Sequence, residues 1–160
     1  MKSTVSTTEI FKYVLLFTFL FSGFIVLTIT YNKAFKLKNE GLSIAEKYEG
    51  FTQKGLTIFN NYLRNNGYAA TGNCDTGEYG VSDLNNPDIE PAQSNKRYFY
   101  CLSYRCKNGN CTINDNQNYI YYNLKIFYKF NLPIIGELIT FKITGESKAI
   151  KLYREDQKLS

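Results

Sequence analysis

The chain has 160 residues and a net charge of +5 at neutral pH, with 16% aromatic residues that are all Tyr or Phe. Histidine is missing altogether, which removes the commonest general base and metal ligand and every Ser-His or Cys-His nucleophile pair. Beyond Asn32, 17 Lys and Arg stand against 13 Asp and Glu, dispersed along the chain, so no basic block marks a nucleic-acid partner.

An N-terminal flank, residues 1–12, is Ser/Thr-rich at its start, where poor order is expected, and ends in Glu9 and Lys12. The uncharged run Tyr13 to Asn32, YVLLFTFLFSGFIVLTITYN, follows and is closed by Lys33. Twenty residues at about 1.5 Å each make a helix of about 30 Å, the thickness of bilayer hydrocarbon. The rival is a cleaved signal peptide, whose apolar core of about 7–15 residues ends at a small-x-small site. Here the apolar sequence continues through Ile25, Val26, Leu27 and Ile29 to Tyr31, so a retained single-pass anchor is expected at 13–32. Gly23, beside Ser22, is a candidate for close helix contact, although isolated small residues are common in membrane helices.

Residues 33–66 read as a juxtamembrane amphipathic helix. Ala34, Phe35, Leu37, Leu42, Ala45, Tyr48, Phe51, Leu56, Phe59, Tyr62 and Leu63 recur mostly at three- and four-residue steps. Gly41, Gly50 and Gly55 each cost about 1 kcal/mol relative to Ala inside a helix, which predicts a kink or break near 39–43 or 50–55. Asn65-Asn66-Gly67 is a stop signal. The stripe fits a helical spine packing on a sheet or on neighbouring copies, and equally a plain core helix.

From Gly67 the composition turns to Gly, Asn, Asp, Thr and Pro. A loop of about 28 residues to Ser94, extending to 96 before the first strand, is longer than a compact domain leaves unsupported. Cys74, near its start, is the natural tether. The four cysteines, Cys74, Cys101, Cys106 and Cys111, all follow the anchor, and an even clustered set in a small domain reads as two disulfides in an oxidising compartment. Positive-inside counting disagrees, because Lys33, Lys36 and Lys38 lie on the long side of the anchor. Long domains translocate largely regardless of charge, so the C-terminal domain is expected outside the cytoplasm.

An antiparallel sheet is expected over 97–155. RYFYCLSYRC (97–106) ends at Lys107-Asn108-Gly109-Asn110, whose Asn-Gly pair suits a tight hairpin. Cys106 and Cys111 flank that turn, and opposed strand ends bring Cα atoms near the roughly 5–6 Å of a disulfide, which leaves Cys74 for Cys101. A zinc site made by all four thiolates is the rival, but the four-residue spacers are not the two-residue knuckles such sites favour. Ile120, Tyr122, Leu124, Ile126, Tyr128 and Phe130 then alternate with Asn123, Lys125 and Lys129, the pattern of a half-buried strand. After a turn at 132–136, Ile139, Phe141 and Ile143 alternate in a further strand, 149–153 can form a last short one, and 156–160 is a polar tail.

The expected fold class is therefore α+β: a transmembrane helix continuing into an amphipathic helix, followed by a three- or four-stranded antiparallel meander. That layout is the architecture of pilins and pseudopilins. The segments FKYVLLFTFLF, AEKYEGF and FNLPIIGELITFKITGESKAI resemble the TadE-like pseudopilin proteins of tight-adherence pilus systems in Gram-positive bacteria. The resemblance implies a non-enzymatic subunit of a surface pilus or secretion apparatus. Its partners would be the membrane and other pilin-like subunits or secretion-machinery proteins, with homo- or hetero-oligomers formed through the hydrophobic helix. It also implies an assembly role for Glu9, the only acid near the anchor, whose plain alternative is an ordinary polar flank. Pilins are cut after a small residue, usually Gly, with Glu at the fifth mature position. Here that register places the cut between Thr4 and Val5, with no Gly before it. The alternative is a tethered extracytoplasmic binding or accessory module that does not polymerise.

Other chemistry is weak. Asn114-Asp115-Asn116 lacks the Gly and terminal Glu of a calcium loop. Glu137 and Glu146 have nothing to hold them at catalytic distance, and Asn110-Cys111-Thr112 is a glycosylation sequon that its own cysteine and the adjacent hairpin make a weak acceptor. No catalytic, cofactor or metal residues are assigned.

Overall fold

The structure is a computed structural model that describes residues 7–86, 88–107, 111, 119–132, 136–152 and 155–159. Among these residues two helices, α1 (Thr7–Lys47) and α2 (Gln53–Asn65), precede six strands. These are β1 (Tyr79–Val81), β2 (Glu90–Pro91), β3 (Tyr100–Cys106), β4 (Tyr119–Leu132), β5 (Gly136–Glu146) and β6 (Ile150–Lys151), with a 3-10 turn at Glu155–Gln157. The fold is α+β with a long N-terminal helix and a small open antiparallel sheet.

Helix α1 has 41 residues and is about 60 Å long. Its two parts differ. From Thr8 to Lys33 no residue is buried, whereas Ala34, Leu37, Lys38, Gly41, Leu42, Ile44 and Ala45 are buried along one face, as an apolar helical stripe requires. Phe35 is the exception to the expected stripe. It stays outside, stacked on Tyr31 with ring centroids 6.3 Å apart, and Lys38 Nζ lies 4.2 Å above its ring.

The helix runs unbroken through 39–43. Gly41 is there because helix and sheet approach too closely for a side chain: a Cβ would stand 2.5 Å from Leu124 Cδ2 and 2.7 Å from Phe59 Cζ. The break comes at 48–52, overlapping the second of the two expected places, so 33–66 is two helices rather than one. Glu49 (φ 59°) and Gly50 (φ 136°) take left-handed backbone, and the Gly50 N–H donates to Ala45 O at 2.7 Å. Thr52 then caps α2, its hydroxyl accepting from the Gly55 N–H at 3.4 Å. At the other end, the Asn66 and Tyr68 N–H groups turn back to the carbonyls of Tyr62 and Leu63, close to the expected stop.

The sheet order is β2-β1-β3-β4-β5, with β6 pairing with β4 beyond the end of β5. The meander of three or four strands is thus extended by β1 and β2, which lie inside the segment expected to be a disulfide-tethered loop. Two- and three-residue strands are too short to show periodicity. On one face, Ile120, Tyr122, Leu124 and Ile126 of β4 are fully buried with Leu56, Phe59 and Leu63 of α2 and the buried stripe of α1. Within that core the Tyr100 hydroxyl donates to Asn60 Oδ1 at 2.7 Å. The other face of β4 is not simply polar: Asn123 is exposed, but Lys125 and Phe127 are buried, because residues 72–78 lie across them.

Two further corrections concern connections. Cys106 stands opposite Ile120 in the β3–β4 ladder, so the link between these strands spans 107–118 and is longer than a four-residue hairpin turn. Asn108-Gly109-Asn110 and Asp115 lie outside the described residues. The polar end of the chain is also not a free tail. Gln157 and Leu159 are buried, and Gln157 Nε2 donates to Glu49 O at 2.7 Å and Lys151 O at 3.0 Å. The Tyr122 hydroxyl donates to Gln157 O, so the tail closes the joint between α1 and α2.

Candidate functional site

Two features stand apart from ordinary core packing: the uncovered part of α1, and the loop stapled across β4. From Ile10 to Tyr31 the helix presents Phe, Leu, Ile and Val on every side, all exposed but the half-buried Val26, which is the composition of a helix meant for an apolar solvent. Its Ser and Thr hydroxyls are already satisfied. The hydroxyls of Thr18, Ser22, Thr28 and Thr30 donate to the carbonyls of Val14, Thr18, Phe24 and Val26 at 2.7–2.9 Å. None would therefore be left bare in hydrocarbon. This one helix is long and apolar enough to cross a membrane. Glu9 lies exposed in its first turn, where a carboxylate complements the positive end of the helix dipole. Tyr31 closes the run, its ring edge-on to Tyr128 of β4 at 6.2 Å, so the helix leaves its apolar section already in contact with the sheet.

The second feature begins with the cysteines. Cys74 bonds to Cys101 with an S–S distance of 1.97 Å, and Cys106 to Cys111 at 1.96 Å, the pairs expected from their spacing. Cys101 faces Lys125 across the β3–β4 ladder, so the first disulfide brings the segment after Cys74 over the Lys125 side chain. Lys125 Nζ then stands 2.7 Å from Asp75 Oδ2 and 2.7 Å from Glu78 Oε2, with its side chain 5% exposed. Cys74, Tyr98, Cys101 and Phe127 form a small second core beside it. Burial works against the Lys125 charge, but the hydrogen bonds to Asp75 and Glu78 outweigh it and raise its pKa. The Lys125 hydrogen bond in turn lowers that of Asp75.

Cys74, Cys101 and Glu78 bring their ligand atoms within 4.8 Å of one another, but both sulfurs are used in the disulfide and offer no thiolate to a metal. Nothing in the sequence patterning singled out Lys125, Asp75 and Glu78. The available signal was Asp75 following Cys74 while Lys125 sat on the strand expected beside Cys101. Glu137 and Glu146 lie at opposite ends of β5, and Glu146 is held by Arg105 Nε at 2.6 Å.

The chain matches no protein-family model, no curated protein and no solved structure.

Proposed function

We propose that the chain is a structural, non-enzymatic, membrane-anchored subunit of pilin-like architecture, with its C-terminal domain outside the cytoplasm. In this reading it belongs to a surface pilus or secretion apparatus, as its resemblance to TadE-like pseudopilins implies. The observation that carries it is the division of α1. One continuous helix is apolar and uncovered in its first part and fixed to the sheet in its second. Such a helix serves as an anchor in the bilayer and as a packing core between subunits. The two disulfides support the placement outside the cytoplasm.

Glu9, at the entrance of the helix, offers a carboxylate to a neighbouring subunit's cationic terminus or side chain. Extraction in mild detergent followed by mass measurement tests the assembly reading. Helix-driven oligomers that weaken in Glu9→Gln, while the melting temperature of the domain stays unchanged, are the expected result. A stable monomer under all conditions supports the tethered module instead.

A further inference from the structure

A chain of touching rings marks the level at which α1 leaves its apolar run. Phe35 stacks on Tyr31 at 6.3 Å, Tyr31 meets Tyr128 of β4 edge-on at 6.2 Å, and Tyr128 stacks on Phe141 of β5 at 5.2 Å. The band thus crosses from helix to sheet without a gap. It is not core: Tyr31 is 43% and Phe35 42% exposed, while Tyr128 and Phe141 are half-buried. Lys38, on the side away from the apolar run, lays its stem against Gly145 and brings Nζ 4.2 Å above the Phe35 ring. The direction of β4 decides what lies on the other side. Leu124 stands against Gly41 and Tyr128 against Tyr31, so β4 runs antiparallel to α1, toward its apolar end. Both β4 and β5 continue past the band, β4 to Leu132 and β5 back to Gly136. The sequence there is largely apolar, with Phe130, Leu132, Leu138 and Ile139.

We propose that this aromatic band seats the domain on the bilayer surface, its partner being the boundary between lipid headgroups and acyl chains. With α1 spanning the bilayer, Tyr31 stands at the end of the hydrocarbon, and the band lies at the depth that amphipathic rings favour in membranes. A protein partner would not require the rings to begin where the uncharged run ends, but a bilayer does. The outer edge of β5 carries no further strand among the described residues. Because an open strand edge cannot enter hydrocarbon, the contact stays in the hydrated headgroup layer. Anchor and domain then touch the same leaflet, which fixes the tilt of the sheet against the membrane. The proposal rests on the membrane-spanning reading of α1.

The chain has no tryptophan, so a single introduced Trp reports its own surroundings. The test places the full chain in phosphatidylcholine nanodiscs whose acyl chains carry bromine, a contact quencher, either near the headgroup or near the bilayer centre. Phe141→Trp, and Thr140→Trp at an exposed neighbouring position that leaves the rings intact, should both be quenched, and more by the shallow bromines than by the deep ones. Lys151→Trp should not be. It is exposed on β6 opposite Tyr119, about 30 Å up β4 from Tyr128. Quenching of Thr140→Trp should be lost when Phe35→Ala/Phe141→Ala removes rings from the band, and its persistence there overturns the rings as the seat. No quenching of Phe141→Trp and Thr140→Trp overturns the seat itself. A blue-shifted but unquenched Phe141→Trp assigns the band to a second copy of the chain and overturns the bilayer as partner. Phe17→Trp, inside the apolar run, checks the anchor separately: absence of quenching by the deep bromines overturns the membrane-spanning reading, so the two failures are distinguishable.

Discussion

Lys125 shows how a single side chain departs from what its strand pattern implies. Alternation along β4 assigns it to the outer face, and that assignment is correct. Alternation does not say whether a loop covers that face, and here the segment tied down by Cys74 does so. Replacing Lys125 with Met takes the counter-charge from Glu78, a largely buried carboxylate left with the Asp75 N–H as its donor at 2.8 Å, so a loss of about 1–3 kcal/mol in chemical denaturation is expected. The pH dependence follows from the two shifts. A lysine with a raised pKa stabilises fully below its unfolded value of about 10.4 and loses that contribution as pH rises through the folded value. An aspartate with a lowered pKa contributes above about 3.9 and loses its share as pH falls through the folded value. The cluster's contribution should therefore be level from about pH 5 to 10 and fade below about pH 4. Because the Asp75 side chain is 67% exposed, solvent screening keeps its share to at most about 1 kcal/mol. Stability measured from pH 6 to 2 should fall less steeply in Asp75→Asn than in the wild type.

Among the elements, the cysteine pairs and Gly41 carry the most distinct expectations. The Cys74–Cys101 bond closes a separation of 27 residues and the Cys106–Cys111 bond one of 5. The loop-entropy model gives about 3.5 and about 2 kcal/mol for them. Removing the first pair as Cys74→Ser/Cys101→Ser should lower the melting temperature more, and should also release residues 72–78 to proteolysis. Gly41→Val places branched atoms where even a Cβ meets Leu124 and Phe59. The gain in helix propensity of up to about 1 kcal/mol is then set against the cost of overpacking. A net loss of about 1–3 kcal/mol, read from the urea midpoint, is expected. The sequence made the helix periodicity, the β3–β5 strands and both disulfide pairs legible. It misread Gly41, because a glycine that weakens an isolated helix looks the same as one that permits close packing. It also missed β1 and β2, which exist only because β3 offers them an edge.

At the scale of the whole molecule, the fold is a long helix of which one part belongs to the domain and the other to its surroundings. The boundary at Lys33 was legible, since it coincides with the end of the uncharged run. The closure of the far end was not. Gln157 and Leu159 look like a solvated tail, and only the gap left by the α1–α2 break gives them a place to bury. Ser147 and Lys148 tie the end of β5 back to the same region: Lys148 N–H donates to Glu46 Oε1 at 2.9 Å, and Ser147 N–H to Tyr122 O at 2.8 Å. The domain is thus fastened to the second part of α1 at several points, so forces on the exposed part pass directly into the sheet.

That mechanical continuity is what a subunit assembled through its helix requires. It can be tested by a single-cysteine scan from Val14 to Ile29 in membranes, with the native cysteines paired in their disulfides and none free among the described residues. Oxidation should give cross-linked dimers at positions recurring every three to four residues, marking one packed helix face. An absence of cross-links at every position, or equal cross-linking all round the helix, would contradict assembly through α1.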